Sequence, residues 1–260
     1  MAFPVSDEIH LWLIDENSVD YALLESYWPF LSPDERVRYD RLRQSGDRKR
    51  FLITRAAVRN TLSHYFPDVL PAQWQFSRNA WGRPVIVTPT HSGGVEFSIS
   101  HTRGLIAIAV AASGSLGVDV EYTVRRNRTL AIANRYFSST EVEALQRLPA
   151  QAQRERFFDL WTLKEAYIKA CGMALAIPLR SFSFDFSAEN IAIAFAAERD
   201  DEPQGWQFWQ MAASPDHRLA LAFKRAGETA TMKVVCRALV PLRDSTCIEL
   251  RQLRQGVQHL

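Results

Sequence analysis

Residues 94–122 read GVEFSISHTRGLIAIAVAASGSLGVDVEY. Three apolar-rich runs, GVEFSISH, LIAIAVAAS and LGVDVEY, have strand length and strand composition, and ASGS (112–115) supplies the small residues of a hairpin turn. The last run carries two carboxylates. On a strand, residues two apart share a face with Cα atoms about 6.5 Å apart, so Asp119 and Glu121 point one way while Val118, Val120 and Tyr122 point the other. Like charges held that close in a half-buried site need a cation or a shared proton. A hard divalent ion, magnesium above all, meets that need with oxygen ligands; two solvated acids on a sheet edge are the competing reading.

Outward from this stretch, strand and helix patterns alternate in blocks. EIHLWLID (8–15) reads as a half-buried strand, followed by a helix-like run through Tyr27. Ser32, with Glu35 three residues on, signals a helix start, and Asp47 to His64 carries apolar residues at helical spacing without proline. WQFSRN and RPVIV add short strands before residue 94. Beyond Leu130 the pattern turns helical, with Ser138, Ser139 or Thr140 as a cap ahead of Glu141. The strongest helix is QRERFFDLWTLKEAYIKACG (153–172), with Gly172 as its stop. RSFSFDF, IAIAFAA, GWQFWQM, RLALAFKR and MKVVCRALV then read as strands, and the last twenty residues as a polar tail helix.

This order predicts an α+β chain of two halves of similar make-up, each packing an antiparallel sheet against helices, and a seam between two halves suggests a cleft for the active site. The expected boundaries are 1–115 for the first half, 116–240 for the second and 241–260 for the tail.

The 260 residues carry 31 Lys and Arg against 29 Asp and Glu, so a polyanion site must come from local clustering, such as the nine basic residues from Arg36 to Arg59. That run is interspersed with Asp34, Glu35, Asp40 and Asp47, which fits a solvated face with a few phosphate clamps inside it. No leader and no stretch near the roughly 18 apolar residues of a membrane span is apparent, so a cytoplasmic protein is expected. Cys171, Cys236 and Cys247 have neither disulfide nor zinc spacing.

Trp161, Glu165 and Lys169 follow at intervals of four and lie along one helical face. An ordinary Glu–Lys helix pair competes with a functional reading, yet Phe157, Phe158 and Tyr167 make the helix a packed one, where charges need partners or tasks. Ser98, Ser100 and His101 close a strand. Strand neighbours that point to opposite faces and the lack of a G-x-S-x-G elbow weigh against a nucleophilic triad there; phosphate or ribose binding is the alternative, with a satisfied turn histidine as the competing reading.

FSISH, GVDVE and WTLKEAYIK stand in the order and spacing of the phosphopantetheinyl transferase superfamily, whose signatures G-[IV]-D-[IVL]-E and W-[ST]-x-K-E-[AS]-x-x-K are both complete here. WGRPVI (81–86) and ANRYFSSTEVEAL (133–145) resemble further elements of that family, and the length resembles its larger, pseudo-dimeric, surfactin-synthetase-activating type. The resemblance implies a holo-[acyl-carrier-protein] synthase type activity, transfer of 4′-phosphopantetheine from coenzyme A to a carrier-protein serine with release of 3′,5′-ADP. It implies Asp119, Glu121 and Glu165 as magnesium ligands, Glu165 as general base, and Lys169 as the residue that stabilises or protonates the leaving group. It further implies Arg50, Arg83, Ser100 and His101 as coenzyme A contacts, with Arg36 and Arg43 as additional candidates.

An acyl or peptidyl carrier protein is the implied partner, and charge and position suggest Arg125, Arg126, Arg128, Leu130 and Ile132 as its docking surface. A monomer acting without nucleic acid or membrane is expected. A magnesium phosphohydrolase would use the same acids on water, and a nucleic-acid-binding module would rest on the basic helices; the near-neutral total charge weighs against the latter.

Overall fold

The computed structural model describes residues 7–90, 94–124, 128–173, 176–187, 190–225 and 231–257. In chain order, β1 (Glu8–Asp15) leads to α1 (Tyr21–Ser26), α2 (Pro33–Arg41) and α3 (Ser45–Tyr65). Next come β2 (Gln75–Arg78), β3 (Pro84–Thr88), β4 (Glu96–Thr102), β5 (Leu105–Ala111) and β6 (Ser115–Tyr122). Three helices follow, α4 (Thr129–Tyr136), α5 (Ser139–Gln146) and α6 (Ala150–Ala170). The chain finishes with β7 (Phe182–Ser187), β8 (Asn190–Phe195), β9 (Trp206–Ser214), β10 (His217–Lys224), β11 (Lys233–Val240), β12 (Asp244–Cys247) and β13 (Arg251–Val257). The α+β class read from the sequence is the class observed. No helix among the described residues is long and apolar enough to cross a membrane.

Two compact units divide the chain, Met1–Ala112 with Lys233–Glu249, and Ser113–Met232 with Leu250–Leu260. The expected second boundary at 240 does not match, because β11 leaves the second unit and pairs with β1.

In the first unit, five strands run in the order β12-β11-β1-β5-β4. β1 lies parallel to β11 and antiparallel to β5, so its residues Ile9 to Ile14 are buried on both faces rather than half-buried as the alternation suggested. The 21-residue α3 packs Leu52, Ile53, Ala56 and Ala57 into one core with Trp12, Ile14, Ile106 and Ile108. Trp12 Nε1 donates to Tyr65 Oη at 2.7 Å, which ties the central strand to the end of that helix. The predicted cap of α2 is in place. Ser32 Oγ accepts from Glu35 N, and Glu35 Oε2 accepts from Ser32 N at 3.0 Å.

In the second unit, six strands run in the order β6-β10-β9-β13-β8-β7. α6 lies on this sheet and buries Phe157, Phe158, Leu163 and Tyr167 with Phe182, Phe208 and Ala220. The helix stops at the glycine expected to stop it: Gly172 takes φ +68°, a left-handed turn that costs other L-residues about 1–2 kcal/mol.

Two expectations are corrected. The sheets are not purely antiparallel, since β1 with β11 and β13 with β8 are parallel pairs. Residues 241–257 do not form the expected tail helix: β12 pairs with β11, and β13 enters the second sheet beside β9. Besides the strand ladder, buried charge ties β13 to α6. Arg254 Nη1 donates to Asp159 Oδ2 of α6 at 2.9 Å and to Gln210 Oε1 at 2.6 Å, while Arg218 Nε stands 2.8 Å from Asp159 Oδ1. A buried carboxylate needs such partners, and the polar final segment supplies one.

Candidate active site

Gly117 decides how closely α6 can lie on β6. A Cβ there would stand 1.9 Å from the Ala166 carbonyl oxygen and 2.6 Å from Ala170 N, so only glycine permits this approach. Asp119 and Glu121 follow at period two on the same face of the strand, and so they too point at the helix. The glycine that opens the GVDVE run thus brings the acids of the strand against the helical stripe of Trp161, Glu165 and Lys169.

Each acid meets a donor from that stripe. Lys169 Nζ donates to Asp119 Oδ1 at 2.7 Å and to the Val118 carbonyl at 3.1 Å. Two turns earlier, Trp161 Nε1 donates to Glu121 Oε1 at 3.1 Å, its ring stacked on Phe157. Asp119 is buried, at 5% exposure. Between the two donors, the Glu165 carboxyl is pushed up from 4.5 to about 7, first by burial and then by the charges of Asp119 and Glu121, against the opposing pull of Lys169. A carboxyl in that range gives and takes protons near neutrality.

The neighbouring residue, Lys164, does the opposite job. It is fully buried and pairs with Glu141 Oε2 at 2.8 Å, while its ammonium also donates to the carbonyls of Leu179 and Phe182 at 2.7 Å each. Glu141 is in turn the capping-box acid of α5, bonded to Ser138, and it accepts from Phe184 N at 2.9 Å. So α6 is locked through Lys164, and Glu165 stands about 100° round the helix from that lock. The sequence reading gave Lys164 no role; the signal was the Ser138 to Glu141 cap, an acid whose partner lies elsewhere in the chain.

The residues read as phosphate contacts belong to the first unit. Arg50 Nε is bonded to Glu16, and its Nη1 donates to Asp47 at 3.1 Å. Arg83 Nη2 donates to Glu96 Oε2 at 2.7 Å. Ser100 is buried in β4 and His101, next to it, is exposed. A cavity of about 800 Å³ opens in this unit, and among its lining residues are Arg38, Arg55, Arg59, Arg78, Trp74 and His101. Of the four residues named from sequence, His101 lines it. Arg78 was missed, being a lone arginine on a short strand, and two arginines of the basic run are neutralised internally: Glu35 stands 2.8 Å from Arg59 and 3.4 Å from Arg55. Arg36 donates to the Leu31 carbonyl at 3.2 Å, and Arg43 is exposed.

Of the expected docking surface, Arg125 and Arg126 lie outside the described residues. Arg128 is exposed at the start of α4, whereas Leu130 and Ile132 are half-buried against the core of the second unit.

The donor set of Asp119, Glu121 and Glu165 fits a hard cation in its chemistry. It is all carboxylate oxygen, and the upward push on Glu165 by the other two acids marks a cluster rich in negative charge. In this conformation the three are not gathered around one point: among the described residues no group of three ligating side chains is closed enough to hold an ion.

Comparison with known proteins agrees with these features. Residues 115–222 match a profile described as 4′-phosphopantetheinyl transferase superfamily, and residues 21–113 match one described as 4′-phosphopantetheinyl transferase, N-terminal. The chain is 34% identical to the 4′-phosphopantetheinyl transferase HetI of Nostoc sp. (strain PCC 7120) over 66% of its own length and 72% of that protein. It is 33% identical to the 4′-phosphopantetheinyl transferase Sfp of Bacillus subtilis (strain 168), covering 61% of this chain and 68% of Sfp. With the human L-aminoadipate-semialdehyde dehydrogenase-phosphopantetheinyl transferase it shares 24% identity over 75% of this chain and 67% of the human protein.

Proposed function

The chain belongs to the Sfp-type branch of the 4′-phosphopantetheinyl transferase superfamily, and from that premise we propose that it moves the 4′-phosphopantetheine arm of coenzyme A to a serine of an apo acyl or peptidyl carrier protein. The observation that carries the reading is the stripe on α6, where Glu165 stands between an indole bonded to Glu121 and an ammonium bonded to Asp119.

In this reading Glu165 takes the proton of the carrier serine, and the serine oxygen attacks the pantetheine-bearing phosphorus of the coenzyme A pyrophosphate. The bond from that phosphorus to the bridging oxygen breaks, and the oxygen leaves on 3′,5′-ADP, stabilised or protonated by Lys169. Asp119, Glu121 and Glu165 would hold magnesium, which when bound neutralises charge on the pyrophosphate. Arg50, Arg83, Ser100 and His101 contact the phosphates of coenzyme A in the same reading. For Arg50 and Arg83 this means exchanging internal carboxylate partners for substrate phosphate.

The proposal includes two halves of one pseudo-dimer, a monomer working in the cytoplasm, and no nucleic acid or membrane partner. Intact-mass spectrometry of an apo carrier protein incubated with the enzyme, coenzyme A and magnesium tests it. The expected result is a carrier heavier by one phosphopantetheine arm, lost when magnesium is chelated. An unmodified carrier with coenzyme A hydrolysed instead would favour a phosphohydrolase.

A further inference from the structure

The Lys169 ammonium sits between two oxygens, Asp119 Oδ1 at 2.7 Å and the Val118 carbonyl at 3.1 Å. A hard cation takes the same kinds of ligand, a carboxylate and a carbonyl oxygen. The Lys169 side chain is 29% exposed and that of Asp119 only 7%, so the acid is fixed in the protein while the ammonium rides on a stem that reaches solvent. Two positive charges cannot both stand within bonding distance of one carboxylate oxygen without strong repulsion.

We infer that Lys169 and a divalent cation are alternative counter-charges for Asp119: the ammonium occupies the acid until the cation displaces it, and displacement frees the ammonium for the phosphates of the substrate. This rests on the metal reading given above and adds an ordering to it. The apparent affinity for the cation is then reduced by the fraction of molecules in which Lys169 has left Asp119. In this scheme Lys169 reaches the leaving group only in molecules that already carry the ion.

The test titrates Mn²⁺ alone into the full chain and reads free Mn²⁺ by electron paramagnetic resonance, with no substrate and no turnover. Wild type is compared with Lys169→Met and Lys169→Gln, two uncharged replacements so that one folding failure does not end the test, and circular dichroism checks the fold of each. Arg154→Gln serves as the control, because it removes from the same helix a cation whose guanidinium bonds the Thr123 carbonyl. Removal of an ammonium in direct contact is expected to tighten Mn²⁺ binding at least about tenfold in both Lys169 variants, and Arg154→Gln is expected to change it less than about twofold. Unchanged or weaker binding in the Lys169 variants overturns the competition while leaving the metal reading intact. Equal tightening by Arg154→Gln also overturns it, since the effect would then be one of overall charge. Absence of Mn²⁺ binding in every variant overturns the metal reading, and the inference with it.

Discussion

Replacing Glu141 by Gln should unlock α6 on the face next to the one that carries Glu165. In the native protein Glu141 Oε2 stands 2.8 Å from Lys164 Nζ and also accepts from Ser138 N at 3.0 Å and Ser138 Oγ at 2.9 Å, while Oε1 accepts from Phe184 N at 2.9 Å. A Gln that keeps its oxygen toward Phe184 N turns its amide NH₂ toward Lys164 and Ser138, so donors face donors. The Lys164 ammonium then stays fully buried with two carbonyls and the Phe182 ring, at 4.3 Å, but no counter-charge. Breaking a buried pair from one side costs about 3–5 kcal/mol. Lys164→Met should cost less, because Glu141 keeps its bonds to Ser138 and Phe184. The double variant should be better than the sum of the singles by at least about 2 kcal/mol.

The assay is urea unfolding of the four proteins, with hydrogen exchange of peptides from α5 and α6 to localise the loss. The pH dependence gives an independent sign. Burial pulls the Lys164 pKa down and Glu141 holds it up, so in the Gln variant it falls further below its unfolded value. The folded state then binds fewer protons than the unfolded state as pH rises toward 10.5, and the deficit of the variant shrinks with rising pH. A loss under about 1 kcal/mol in Glu141→Gln, or additive effects in the cycle, would refute the claim that this pair fixes the helix.

Other perturbations follow from the same geometry. The Glu165 carboxyl, raised from 4.5 to about 7, makes the folded protein bind more protons than the unfolded chain between those values, so without divalent ion its contribution to stability falls as pH rises through that window, by at most about 3 kcal/mol. Glu165→Gln should remove that slope in chelator-treated thermal melts, and an unchanged slope would place the titrating group elsewhere. Gly117→Ala forces a methyl into space 1.9 Å from the Ala166 carbonyl; α6 and β6 must part, with a stability loss of about 1–3 kcal/mol and loss of transfer. Full transfer by that variant would show that the contact of strand and helix does not set the site. Trp161→Phe keeps a ring on Phe157 but deletes the donor to Glu121, and a fall of about tenfold in kcat/KM for the carrier, with the Tm little changed, is expected. Equal activity would leave the indole a packing role alone.

What the sequence made legible was local. The hairpin run from β4 to β6 and the aromatic helix α6 carry their periods over many residues, and period alone put Asp119 with Glu121 and Trp161 with Glu165 and Lys169 on common faces. Pairings between distant parts of the chain left no such trace. Glu8 meets Lys233 in a parallel register that no local pattern encodes, and it moves β11 into the first unit. The final segment reads as a tail helix from its polarity; the need of buried Asp159 for Arg254 becomes visible only once α6 and β13 are side by side. Lys164 was passed over for the same reason, since a lysine in a helix is by default exposed. The sequence also cast Asp119 and Glu121 as repelling acids awaiting a foreign cation, whereas the protein supplies one of its own in Lys169.

The central claim is that the face shared by β6 and α6 performs phosphopantetheinyl transfer. The most direct measurement is the rate at which an apo carrier protein gains mass from coenzyme A and magnesium, with Glu165→Gln run beside the wild type at equal concentration and verified fold. Transfer by the wild type and a fall of at least about a hundredfold in the variant are predicted, the size expected for loss of a general base. A variant that modifies the carrier at the wild-type rate would contradict the account.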